Sequence, residues 1–264
     1  MGTKKIKGTF IVLILSFMIF NLFVSIASNS YFIGKKLKDD YFFTIELKNN
    51  IDEKDINEFE KFLLSNPNVK GIRFLDKDEA FRNLQKELEI VIPKSENPLP
   101  NSMIVKFENE KNIQAIQELL DVDSRVREIY IDSSFLQSTQ RKVSAVNTTL
   151  FLFSLLSLAT FYIINVVLRE MIFKDYMIFA IRNPQNSKNY LVARNKNLIP
   201  FFVSAVIGSL IYFNIYTIIR EKLNLLLPDL ILQSFKQLFY IEAVAMIVVL
   251  GLSWKMTKKI RNEV

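Results

Sequence analysis

The side chains on which most enzymes rely are missing here: the sequence contains no histidine and no cysteine. That removes imidazole as a general acid or base, and it removes thiolate nucleophiles, disulfides and zinc sites of Cys/His type. A nucleotide-binding G-x-x-x-x-G-K-[ST] loop is absent, as is a G-x-S-x-G nucleophile elbow. Acids remain, but between residues 35 and 142 they fall on the polar faces of helices, where water solvates them. The sequence therefore predicts no catalytic residue, no cofactor and no metal, and the expectation is a protein that is not an enzyme.

Two apolar clusters are suited to binding other proteins instead. Phe81, Leu84, Leu88, Ile90, Val91 and Ile92 crowd a stretch too short to bury them by itself. Phe81, Leu84, Leu88 and Ile92 are expected to form an exposed extracytoplasmic binding surface. Packing of the same residues back onto a neighbouring sheet is the competing expectation. In the second cluster, Met177, Ile178, Phe179 and Ile181 lie among basic residues and before Asn183-Pro184. Their spacing suits a helix that lies along a membrane or docks in a partner's groove. A plain helical extension of the preceding apolar run fits the spacing equally well.

Four apolar runs must position these clusters. Gly8–Gly34, Val143–Leu168 and Leu198–Ile219 carry no charge, and Leu238–Trp254 carries one acid, Glu242. Each suits a membrane helix of about 20 residues, with Glu242 expected near the interface. No charged residue is expected at the centre of a span, which argues against an ion or proton pathway. A basic start and Ser25-Ile26-Ala27 also resemble a cleaved signal, but the first run is long for one, and a span is expected.

The net charge of +7 is unevenly placed. Lys4, Lys5 and Lys7 precede the first run, six basic residues against two acids fill 169–197, and Lys255, Lys258, Lys259 and Arg261 follow the last run. Residues 35–142 hold 18 basic and 21 acidic residues. Basic segments stay in the cytosol. Both termini and the 169–197 loop are therefore expected inside and 35–142 outside. Membrane lipid, not nucleic acid, accounts for the basic balance. The expected organisation is 1–34 (N-terminus and first helix), 35–142 (external domain), 143–168 (second helix), 169–197 (cytosolic loop) and 198–264 (third and fourth helices with tail).

Within 35–142, Tyr41, Phe43, Ile45 and Leu47 alternate as a strand, as do Met103, Val105 and Phe107. Ile56, Phe59, Leu63, Val69, Ile72 and Phe74 fall on Ile113, Ile116, Leu120, Val126, Ile129 and Ile131 at one constant offset. Two like β-α-β units predict a ferredoxin-like sheet with helices on one face. Residues 77–100 are then an inserted lobe. The predicted fold class is an α+β membrane protein, four transmembrane helices with an extracytoplasmic ferredoxin-like α/β domain between the first two.

The stretch Asn66-Pro67-Asn68-Val69-Lys70-Gly71-Ile72, then Asp76-Lys77-Asp78-Glu79-Ala80, then Asn97-Pro98-Leu99-Pro100-Asn101-Ser102 resembles the external-domain pattern of the FtsX family. The order of one span, an external domain and three spans resembles it too. Asn183-Pro184-Gln185 departs from the Gly-Ala pair that the family commonly has before its third span. The resemblance implies a non-catalytic membrane subunit of the cell-division FtsEX complex, which resembles an ABC transporter, in a bacterial cytoplasmic membrane. It implies a homodimer, a cytosolic FtsE-like P-loop ATPase as partner, and an external domain that controls a peptidoglycan hydrolase or its coiled-coil activator. An export permease subunit and a membrane-anchored sensor without an ATPase are the rival readings.

Overall fold

The computed structural model describes residues 2–39, 41–49, 51–107, 113–226 and 231–259. The chain forms two compact units, an inserted domain of residues 34–145 and a helical unit of residues 1–33 with 146–264. The boundaries fall inside α1 (Gly2–Asp39) and α5 (Ser133–Arg182).

The inserted domain runs β1 (Phe42–Leu47), α2 (Glu53–Leu64), β2 (Val69–Leu75), α3 (Lys77–Leu88), β3 (Ser102–Phe107), α4 (Ile113–Leu120) and β4 (Val126–Tyr130). The four strands form one sheet in the order β2-β3-β1-β4, and every neighbouring pair is antiparallel. The two β-α-β units thus interleave: β3 lies between β2 and β1, and β1 lies between β3 and β4.

Alternation decides the faces. Phe43, Ile45 and Leu47 on β1 and Met103, Val105 and Phe107 on β3 are all buried, with Phe43 opposite Val105 and Ile45 opposite Met103. Phe59 and Leu63 of α2 and Ile113, Ile116 and Leu120 of α4 join the same core. Their three- and four-residue spacing puts them on one stripe of each helix. Tyr41 stacks on Phe107 at 5.6 Å between ring centroids. The alternate residues Phe42 and Tyr130 stay exposed.

Two polar contacts brace this core. Asp123 and Arg125, in the turn between α4 and β4, pair at 2.6 Å. The Arg125 guanidinium also lies 4.5 Å over the Phe59 ring, where a cation meets the negative face of the π-system. The paired guanidinium holds the Asp123 carboxyl below its ordinary range.

The helical unit contains α6 (Asn189–Leu226) and α7 (Phe235–Lys259) together with its parts of α1 and α5. All four helices are long and apolar enough to cross a membrane. At 1.5 Å per residue, the 50 residues of α5 extend about 75 Å, more than twice the hydrocarbon thickness.

Leu13 and Phe17 of α1, Ile164, Leu168 and Ile172 of α5, Phe201 and Ala205 of α6 and Val249 of α7 share one buried cluster. Gly208 lets α6 and α1 approach closely. A Cβ there would stand 2.8 Å from the Ile14 carbonyl oxygen and 2.9 Å from Phe17 Cβ, so α6 meets the α1 backbone where only glycine fits.

Candidate partner-binding sites

The lobe between β2 and β3 is built on α3. Asp76 caps this helix by accepting a 2.8 Å bond from the Asp78 backbone N–H. The chain leaves the helix at Glu89, whose φ of 54° is left-handed, a conformation that helix ends usually assign to glycine. The Asn97–Asn101 stretch braces the helix start. Asn97 Nδ2 donates to the Lys77 carbonyl at 3.0 Å, and the Lys77 N–H donates to Asn101 Oδ1 at 2.9 Å. The prolines at 98 and 100 limit the backbone freedom that remains.

The lobe divides its apolar side chains. Leu84 and Leu88 are exposed, and so are Ile90 and Val91, the last at 98 %. Ile92 is half-buried, and its carbonyl accepts a bond from Gln85 Nε2. Phe81 is only 3 % exposed, which corrects the expectation of an exposed ring. It is buried, though not among the residues of the sheet's core cluster. Leu84 and Leu88 are left as the accessible pair of the four.

The second cluster lies on a helical hairpin within the helical unit. Residues 169–182 continue α5 without a break and do not form a separate helix. The reason is a stripe: Ile164, Leu168 and Ile172 are buried, and Tyr176 and Phe179 prolong the same face against the cluster. Tyr176 meets Tyr190 of α6 edge-on at 6.0 Å. Asp175 accepts bonds from Lys196 Nζ at 3.1 Å and Asn197 Nδ2 at 2.8 Å. The Asn183–Asn189 turn closes on itself, with Asn189 Nδ2 donating to the Asn183 carbonyl at 2.8 Å.

Phe179 is half-buried and packs against this cluster, with Lys196 Nζ 5.5 Å from its ring centroid. Met177, Ile178 and Ile181 are exposed, Ile181 at 78 %, and Phe173 joins them one turn earlier. Met177, Ile178 and Phe173 line a groove of ≈ 680 Å³ that also takes in Phe10 of α1 and Pro200 of α6.

One group of residues escaped the sequence reading. Glu242, expected near the interface, is 2 % exposed, and neither of its carboxylate oxygens has a hydrogen-bond partner. It is the eighth residue of α7, about 10 Å along the helix axis. Asn21, Ser25 and Asn29 form a polar stripe on α1 at four-residue spacing, and all three are buried. Asn21 Nδ2 donates to Ser209 of α6 at 2.9 Å, and Asn29 Oδ1 accepts from the Gln233 N–H at 3.1 Å. That spacing was the signal available in the sequence. Among the described residues no group of three or more His, Cys, Asp or Glu is placed to hold a metal.

A compact α/β domain is inserted between the first and second of four helices that are long and apolar enough to cross a membrane. Residues 41–141 match the family model of the FtsX extracellular domain. Residues 41–141 are thus an FtsX-type extracellular domain, and this match supports a cell-division membrane protein of the FtsX kind. Its four apolar helices and extracellular domain fit a multi-pass inner-membrane protein.

Among solved structures the chain is similar to the Extracellular Domain 1 of FtsX from S. pneumonie, crystallised in complex with undecyl-maltoside. The identity is 18 %, the match covers 34 % of this chain and 92 % of that one, and the TM-score is 0.31. No curated protein matches the chain.

Proposed function

We propose that this protein relays ATP hydrolysis by a separate cytosolic P-loop ATPase to an extracytoplasmic domain that controls peptidoglycan hydrolysis. The observation that carries the reading is the FtsX extracellular domain at 41–141, inserted after the first of four apolar helices. The ferredoxin-like reading of this domain draws support from the interleaved order β2-β3-β1-β4. Basic residues at both ends and in 169–197 support cytosolic termini and a cytosolic hairpin. The complex is read as a homodimer of this chain with its ATPase.

In this reading the groove beside Met177 and Ile178 receives the ATPase. Three helices converge there, so motion imposed on the groove reaches α1, α5 and α6 together. At the other end of the relay, Leu84 and Leu88 with Ile92 offer the apolar contact for a hydrolase or its coiled-coil activator. The test is purification of the full chain in detergent from cells that also express the P-loop ATPase. Wild type is expected to bring the ATPase down. Met177→Asp with Ile178→Asp should lose most of it while remaining inserted in the membrane. Undiminished recovery with the double variant would remove the groove from the proposal, and failure of wild type to bring down any ATPase would remove the relay.

A further inference from the structure

Trp254, the only tryptophan in the sequence, ends the last apolar run, one turn before Lys258 on α7. Lys258 Nζ stands 5.7 Å from the centroid of its ring, and the Arg194 guanidinium of α6 comes to 5.1 Å. The Tyr190 hydroxyl fastens the two helices at this level by donating to the Thr257 carbonyl at 2.7 Å. Ser253 and Thr257 form the buried side of α7 here, and Trp254 and Lys258, each one residue further on, are exposed.

Two cations on one indole leave a surplus of positive charge, and the nearby acids are already engaged. Residues 169–197 contain two acids, Glu170 and Asp175. Glu170 pairs with Lys174 at 2.6 Å and Asp175 with Lys196 at 3.1 Å. Lys196 and Arg194 are two residues apart, about 200° around α6, so Lys196 reaches α5 while Arg194 turns to α7. Among the described residues neither Arg194 nor Lys258 forms an ion pair. Arg194 Nε and Nη2 share a single acceptor, Oδ1 of the adjacent Asn195, at 3.3 and 3.2 Å. A guanidinium has five N–H donors, so most of its capacity is unspent.

This arrangement suits a phosphate. A guanidinium binds one through parallel N–H bonds, and a lysine adds a point charge. A tryptophan at the end of an apolar run sits at the headgroup level of a bilayer, where lipid phosphates lie. A free phosphate offers the same chemistry, but the surface next to the ring favours a lipid. Ile247, Gly251, Trp254 and Lys258 fall on one stripe of α7 at four-, three- and four-residue spacing. A Cβ on Gly251 would meet nothing within 4 Å, and Ile247 is 70 % exposed. An acyl chain has an open apolar track leading away from the two cations.

We propose that Arg194, Trp254 and Lys258 form a binding site for the phosphate of an anionic phospholipid, with Gly251 and Ile247 bordering its acyl chain. The proposal rests on the four helices lying in a membrane and not on the ATPase relay, so loss of the relay would leave it standing.

The test uses the full chain in phosphatidylcholine nanodiscs and reads the fluorescence of Trp254, which no other tryptophan obscures. A minor share of the lipid is brominated near the headgroup, either as phosphatidylglycerol or as phosphatidylcholine, and quenches the ring on contact. Brominated phosphatidylglycerol should reach half-quenching at a content roughly fivefold lower, the effect of one basic group near an anionic surface. Arg194→Gln with Lys258→Gln should abolish this preference while brominated phosphatidylcholine quenches as before, which reports that the variant is folded and inserted. Should the double variant fail to accumulate, Arg194→Gln alone decides on the same terms. Lys255→Gln, which removes an exposed charge next to the ring in sequence, should keep the preference. Equal quenching by the two lipids in wild type would overturn the proposal. So would a preference that survives the loss of Arg194 and Lys258, or one that Lys255→Gln removes as fully, since either outcome means diffuse surface charge. Inorganic phosphate added to the chain in detergent should leave the emission unchanged. A phosphate-dependent change that the double variant abolishes would assign the site to a soluble phosphate and overturn the lipid reading.

Discussion

The two units differ most in what they bury. The sheet domain seals an apolar interior, with Phe43, Ile45, Met103, Val105 and Phe107 all at or near zero exposure. Its buried side-chain polar atoms, among the described residues, all have partners. The helical unit buries Glu242, Ser25, Tyr212 and Asn21 with partners missing or incomplete. A satisfied core has one good arrangement, whereas helices with unsatisfied polar groups between them gain hydrogen bonds by shifting or by binding something.

The largest effect that should sharpen this contrast is in the sheet. Phe107→Ala in a fragment spanning residues 34–145 should cost about 3–5 kcal/mol by denaturant unfolding, as expected for a large ring removed from a sealed core. A cost within about 1 kcal/mol would mean that the core is loose, and the contrast would fail. Next, Gly208→Val should destabilise the detergent-solubilised chain by about 1–3 kcal/mol, because α1 has no room to yield at Ile14 and Phe17. Thermal melting of the two chains decides it, and an unchanged melt would show that the helices already part at that point.

A smaller effect, of about 1 kcal/mol, is expected for Asp123→Asn. The folded state lowers the Asp123 carboxyl, so its contribution is present above the unfolded pKa and is lost as pH falls through the folded one. Wild type and variant should therefore differ at neutral pH and converge in acid. A difference that persists in strong acid would assign the effect to packing instead of charge. Smallest of all, Leu84→Ala and Leu88→Ala should change domain stability by within about 0.5 kcal/mol, since both side chains are already exposed. The same pair should lose capture of the extracytoplasmic partner. A large loss of stability would reassign them to the lobe's interior.

Much of the sheet domain could be read in advance because each element repeats its own period. The strand over Val69–Leu75 and the helix stripe of Ile113, Ile116 and Leu120 needed only local alternation. Phe81 and Leu84 could not be separated that way. They lie three residues apart on one helix face, and the spacing alone does not tell which of the two is covered. The half-burial of Phe179 was equally hidden, because it follows from α5 running on unbroken past Leu168. The burial of Glu242 was hidden more deeply. It lies on α7 and the buried stripe of Asn21, Ser25 and Asn29 on α1, more than 200 residues away in the sequence, and no periodicity within one helix shows how the helices pack.

The central claim is that one chain presents an extracytoplasmic domain on one side of the membrane and the ATPase groove on the other. The sequence contains no native cysteine, so single cysteines report position without background. Lys70→Cys, on exposed β2, and Ile181→Cys, at the end of the exposed α5 stripe, would each be treated with an impermeant maleimide on intact spheroplasts and again after lysis. The account predicts that the Lys70 position labels before lysis and the Ile181 position only after it. Labelling of both before lysis, or of Lys70 only after it, would contradict the account.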